Sequence, residues 1–291
     1  MLGWEFPPLF SGGLGVATYG IVKSLNPLSR IRLIIPTAGN TNDLDGVNVI
    51  GLNQVSTEEI NLEKLQFSLQ FSNTDVHHLP VMMSPYHHTN EAITGESQSD
   101  QDFSEEALHK IETIHSIFSG KEVYGHNIMH KVHLFAQLAE ELAADKDFDV
   151  IHAHDWVTYP AALRIKKMSS KPMVLHVHAL ETDRAGETVR NQIYWMERHG
   201  LEEADRIITV SDYTKEQIGK HYGIDVSKIT VVHNGIEPSP VKRTPHQLKD
   251  KLVVFLGRIT QQKGPQFLLE TAEKVSRVYS RVKFVVAGTG D

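Results

Sequence analysis

One pattern constrains this chain more than any other. Short runs of β-branched and apolar residues end in polar or glycine-rich turns and are followed by amphipathic stretches. Residues 30–36 (RIRLIIP), 148–154 (FDVIHAH), 173–178 (MVLHVH), 206–210 (RIITV) and 229–233 (ITVVH) read as strands. Residues 252–256 (LVVFL) and 282–287 (VKFVVA) repeat the theme. Runs this apolar predict strands buried on both faces of a parallel sheet. Helices fit between them. Leu268, Ala272, Val275 and Tyr279 share one face at helical spacing. Ser211, ahead of residues 213–222, predicts an N-cap. Such alternation points to a doubly wound α/β architecture.

Composition narrows the partners. The formal net charge is -7, which disfavours a phosphate backbone and so excludes nucleic acid as the expected partner. A local basic pocket for one phosphorylated ligand remains open. The absence of cysteine excludes thiolate nucleophiles and cysteine metal sites, and is compatible with a cytoplasmic protein. No apolar run is long enough to span a bilayer, and the N-terminal sequence lacks the pattern of a signal peptide.

The rhythm breaks twice. Residues 87–105 are polar, acidic and aperiodic, and read as a surface loop able to close over a ligand. Residues 238–250 (PSPVKRTPHQLKD) carry three prolines and read as a linker. The expected organisation is a first domain over 1–237, the linker 238–250, and the start of a second domain over 251–291. That last stretch offers only strand, helix, strand. A unit of about forty residues cannot bury its own sheet face. Residues 1–6 also read as a half-length strand. The expectation is therefore an incomplete fragment with weak or no activity of its own.

Chemistry-bearing residues gather at strand ends, where open α/β sheets bind ligands. The loop Ser11-Gly12-Gly13-Leu14-Gly15 follows the first strand and precedes a helix carrying Ala17, Ile21 and Leu25 on one face. Glycines let a backbone approach a pyrophosphate, and a helix N-terminus offers N–H groups. The same loop also serves as a plain strand-to-helix turn. His152-Ala153-His154-Asp155-Trp156 and His176-Val177-His178 end two further strands. His152 and His154 share a strand face, and Asp155 begins the loop. His152 and His176 lie deeper and read as packed, hydrogen-bonded core residues. His178 and Asp155 lie at the rim and read as functional. Arg258 and Lys263 place two cations in Gly257-Arg258-Ile259-Thr260-Gln261-Gln262-Lys263-Gly264, as binding a diphosphate and stabilising its departure would require. Asn234-Gly235 is a turn signal whose Asn is also a candidate for the ligand site.

Taken in order, WEFPP (4–8), SGGLG (11–15), HAHDW (152–156), TVS (209–211), HNGI (233–236) and GRITQQKG (257–264) resemble the retaining two-domain glycosyltransferases. That family includes glycogen and starch synthases and the group 1 glycosyltransferases. The resemblance covers the whole chain. It implies an α/β fold of two Rossmann-like domains facing a cleft (glycosyltransferase B-type), here with the C-terminal domain truncated. It implies transfer of a sugar from an ADP-, UDP- or GDP-sugar to a carbohydrate or glycoside acceptor, with retention and with no bound metal or other cofactor. By the same resemblance Gly12 and Gly13 approach the donor phosphates, Arg258 and Lys263 neutralise the diphosphate, and Asn234 belongs to the donor side. His178 stands near the reacting sugar with Asp155 in the adjoining wall, and Tyr124 matches an acceptor-side aromatic. Phe10, Val16, Val157 and Ala179 replace residues typical of bacterial glycogen synthases, which argues against ADP-glucose and a glucan acceptor.

Two rival readings use the same residues. HAHD and HVH resemble metal-ligand pairs, as a metal-dependent hydrolase would carry them. Asp43-Leu44-Asp45 has the form of the Asp-x-Asp motif of metal-dependent transferases, in a Gly/Asn-rich loop. The non-enzymatic alternative is a partner-binding fragment whose open sheet favours association.

Overall fold

The computed structural model describes residues 1–10, 12–40, 44–60, 100–119, 124–125, 127–236 and 249–288. Asp43, Ser11, most of the expected linker and residues 289–291 lie outside these. The chain divides into two compact units. The first comprises Met1–His178 and Trp195–Ile236, and the second comprises Ala179–Tyr194 and Glu237–Asp291.

In the first unit, helices alternate with parallel strands: α1 (Gly13–Leu25), β1 (Arg32–Ile35), β2 (Asn48–Gly51), α2 (Asp100–Phe118), α3 (Ile128–Ala144), β3 (Ile151–His154) and α4 (Tyr159–Ser169). After β4 (Met173–Val177) and the short α5 (Glu181–Ala185) of the second unit come α6 (Gln192–Glu203), β5 (Arg206–Thr209), α7 (Asp212–Gln217) and β6 (Ile229–Val231). β1 pairs with β2, and β3–β4–β5–β6 pair in that order, all parallel. The N-terminal segment joins the two sets. Gly3 N–H donates to Ile34 O (3.0 Å) on one side, while Leu2 N–H donates to His152 O (2.7 Å) on the other. The lateral order is thus β2, β1, the N-terminal segment, β3, β4, β5, β6.

Packing explains the strands. Leu33 and Ile35 alternate with Ile34, and all three are buried. Leu33 and Ile35 meet Val22 of α1 together with Phe6, Ile31, Ala38 and Leu44. On α3, Phe135 meets Trp4 edge-on at 5.3 Å. Ser211 caps α7 as expected, its hydroxyl accepting from Thr214 N–H at 3.1 Å.

The fully buried residues of α1 are Gly15, Thr18 and Val22, while Ala17, Ile21 and Leu25 are half-buried and Leu25 packs against the same core. Thr18 can be buried because its hydroxyl donates to Leu14 O within the helix (2.9 Å). Of the expected loop 87–105, residues up to 99 lie outside the described residues, and residues 100–105 are helical, the first turns of α2.

The second unit contains β7 (Lys251–Leu256), α8 (Pro265–Val278) and β8 (Val282–Ala287), with the two strands parallel and in register from Lys251↔Val282 to Leu256↔Ala287. Leu252, Val254 and Leu256 stay exposed, and Leu268, Ala272 and Val275 are only half-buried. One helix cannot cover both faces of a two-stranded sheet. Among the described residues, no helix is long and apolar enough to cross a membrane.

Candidate active site

The strand order locates the first unit's ligand crevice. The chain runs outward from the N-terminal segment through β1 to β2, then returns to begin β3 on the segment's other side. The crevice at such a switch point opens at the carboxyl ends of the two strands flanking it. Here those strands lead into the glycine loop and into Asp155.

The glycine loop divides its labour. A Cβ added at Gly13 would meet nothing within 4 Å, so this backbone lies open to a ligand. Gly12 is the N-cap of α1 and supplies no capping side chain, which leaves the first-turn N–H groups without that partner. A Cβ on Gly15 would lie 2.6 Å from Phe10 O, so this glycine serves close packing of helix on loop. Gly15→Ala is expected to cost about 1–3 kcal/mol of stability, read as a lowered denaturation midpoint at unchanged slope. Stability equal to the unsubstituted chain would refute the tight contact.

Asp155 is the most constrained residue of the site. Its backbone sits at φ 58°, ψ 167°, a region that essentially only glycine occupies without strain. Three sets of contacts hold it there. Its N–H donates to His176 O (3.0 Å). Its C=O accepts from both the N–H and the hydroxyl of Thr158 (3.0 Å each). Its carboxylate Oδ1 accepts the backbone N–H of His178 at 2.7 Å. The two residues chosen from the rim are therefore directly joined, and Asp155 fixes where the chain turns after β4.

Behind them stands a column of imidazoles. Parallel pairing puts His154 opposite His176, and His152 and His178 extend the column at either end. Neighbouring rings lie 4.4–5.6 Å apart between centroids. His154 Nδ1 lies 3.0 Å from His178 Nε2. Burial, reinforced by the adjoining imidazoles, pushes the pKa of His152 and His176 down to about 3 and that of His154 well below its usual value. Burial alone takes His178 to about 4. All four rings are neutral at pH 7, so His178 can offer a hydrogen bond but no charge.

His176 is a core residue, as expected, and His152 is half-buried. Neither is hydrogen-bonded through its buried ring nitrogens: His152 Nε2 and both nitrogens of His176 lack partners. The expectation that they are satisfied is corrected, because strand register stacks imidazole on imidazole and brings no carbonyl or carboxylate between them. His154 was missed as a site residue, although its position two residues after His152 and directly before Asp155 was the available signal.

The remaining candidates lie on other elements. Asn234 is exposed in the irregular chain after β6, where His233 Nδ1 lies 3.1 Å from Val210 O. Tyr124 is exposed on a bend. In the second unit, Arg258 and Lys263 are both exposed in the connection from β7 to the N-terminus of α8. Both cations precede a 14-residue helix, and helix N-termini favour anions.

The chain is similar to known proteins in sequence and in fold. A glycosyltransferase of Methanocaldococcus jannaschii, itself uncharacterized, is 31% identical over 166 residues, 52% of this chain and 42% of that protein. Glycogen synthase of Mycobacterium tuberculosis is 26% identical over 159 residues, 52% of this chain and 38% of that enzyme. The matched segment thus spans about two fifths of these relatives' length. In fold, the chain resembles Anabaena HepE, solved with UDP and glucose, at a TM-score of 0.54 and 14% identity, covering 100% of this chain and 61% of that one. It also resembles sucrose-phosphate synthase of Thermosynechococcus elongatus at a TM-score of 0.51 and 12% identity, covering 98% and 67%. The fold class is accordingly α/β with Rossmann-like parallel sheets, of glycosyltransferase B-type. The sequence pattern of Glycosyltransferase Family 4 matches residues 95–240, half of the chain, and the chain belongs to that family.

Proposed function

We propose that this chain serves a cytoplasmic, retaining hexosyltransferase that moves a sugar from a nucleotide-sugar to an acceptor hydroxyl of a glycan or related glycoside. The observation that carries the reading is the strained Asp155, tied through its carboxylate to the His178 amide at the switch-point crevice. Strain of this kind persists where a site needs one geometry. His178, held neutral by burial, hydrogen-bonds the reacting sugar through ring or backbone. Asp155 holds that stretch of chain in place and forms the adjoining wall. Gly12 and Gly13 admit the donor phosphates, Gly13 through its open backbone, whereas the Glu5 carboxylate stands against Gly12. Arg258 and Lys263 neutralise the diphosphate and stabilise the charge that grows as it leaves. Asn234 contributes on the donor side and Tyr124 on the acceptor side. The transfer itself runs without a bound metal.

Calorimetric titration with UDP, ADP and GDP in EDTA tests the reading. One nucleotide is expected to bind saturably. Arg258→Ala is expected to weaken it tenfold or more, the equivalent of a charge-assisted hydrogen bond of about 1.5–3 kcal/mol. Binding by none of the three overturns the reading, as does binding indifferent to both Arg258→Ala and Lys263→Ala in folded variants.

A further inference from the structure

The imidazole column holds more bare nitrogen than a packed core needs. Nε2 of His152, Nε2 of His154 and both ring nitrogens of His176 are buried without a hydrogen-bond partner. Each such atom costs about 1–3 kcal/mol, and buried polar groups are nearly always satisfied. Four in one cluster call for a ligand that satisfies several lone pairs together. The donor atoms of His152, His154 and His176 lie within 4.8 Å of one another.

From this clustering we infer that His152, His154 and His176 form a binding site for one borderline transition-metal ion of the zinc type. The donor set selects the class: neutral imidazole suits zinc, cobalt, nickel and copper, whereas magnesium and calcium want oxygen. Zinc–nitrogen bonds are about 2.0–2.1 Å, so ring rotations must draw the three nitrogens closer than they now stand.

The contact between His154 and His178 fits the same arrangement. With the His154 Nδ1–H donating to His178 Nε2, the lone pair of His154 is left on Nε2, the nitrogen that lacks a partner. A ligating histidine characteristically donates its other N–H in this way. The ion binds the edge of the His154 ring opposite His178. It fixes the tautomer and orientation of His178's partner without touching substrate, so this site is separate from the transfer chemistry and does not depend on that reading.

The test uses the purified chain, stripped with EDTA and freed of chelator. Titration with Zn²⁺ is expected to show one tight equivalent, and X-ray absorption at the zinc edge three imidazole ligands at about 2.0–2.1 Å. His176→Gln is expected to lose that equivalent, and His199→Gln, at an exposed histidine, to keep it. No tight equivalent, or one that survives His176→Gln, overturns the inference. Should His176→Gln fail to fold, the absorption spectrum of the unsubstituted chain decides, because one or two imidazoles would mark adventitious surface binding.

Discussion

Lowering the pH from about 7.5 to about 5, with a chelator present, is expected to remove about 6 kcal/mol of stability and about 12–24 °C of melting temperature. The imidazole column is the cause. In the unfolded chain each histidine titrates near 6.5, whereas in the fold His152 and His176 titrate near 3 and His178 near 4. Below pH 6.5 the unfolded chain therefore takes up protons that the folded chain refuses. Stability is complete above about pH 6.5 and drains as the pH falls toward the folded values. At pH 5 each such group accounts for roughly 2 kcal/mol. Circular dichroism melts across this range check it. His176→Phe, which keeps a ring but cannot titrate, is expected to flatten the slope by about 1.4 kcal/mol per pH unit. A melting temperature constant from pH 7 to 5 would refute the desolvated column.

The second large effect concerns Asp155, where two substitutions separate strain from function. Asp155→Ala removes the carboxylate that accepts the His178 N–H, worth about 1.5–3 kcal/mol, and keeps a side chain in a glycine-only region. Asp155→Gly loses the same hydrogen bond but releases the backbone strain. The glycine variant is expected to be the more stable of the two by about 1–3 kcal/mol, reversing the usual order of alanine over glycine. Under the proposed function both are expected to lower sugar transfer by about 100-fold or more, because His178 is no longer held in place. Denaturant midpoints and transfer rates with the donor chosen by titration check the two halves. An alanine variant as stable as the glycine variant would show the backbone to be unstrained. Transfer retained by both would remove Asp155 from the site.

The sequence made the strands legible because their burial on both faces is written as unbroken apolar runs. β7 and β8 were found within a residue of their ends. β2 was not found: its NVIG is short, begins on a polar Asn and follows a Gly/Asp-rich stretch that reads as loop. Thr18 could not be read as buried, because it counts as polar until its hydroxyl is seen bonded within the helix. His178 and Asp155 could be chosen by their place at strand ends. Their direct bond could not, because it depends on where two strands 22 residues apart in sequence come into register, Ala153 beside Leu175. The same register decides that His154 faces His176. No count of histidines along the chain reveals which nitrogens end up bare.

The position of the N-terminal segment has a consequence for how the protein comes to fold. Leu2 must pair with Ala153, so the middle of the sheet cannot close until 151 further residues have been made. At about 5–20 residues per second this is a wait of roughly 8–30 s. During much of it Trp4 lacks part of its final surroundings, Phe135 of α3 among them. Pairings this distant slow the search for the native state and lengthen exposure to aggregation. Ribosome-bound chains ending before α3 are expected to leave Trp4 accessible to quenchers, and its burial to appear only once α3 has cleared the exit tunnel.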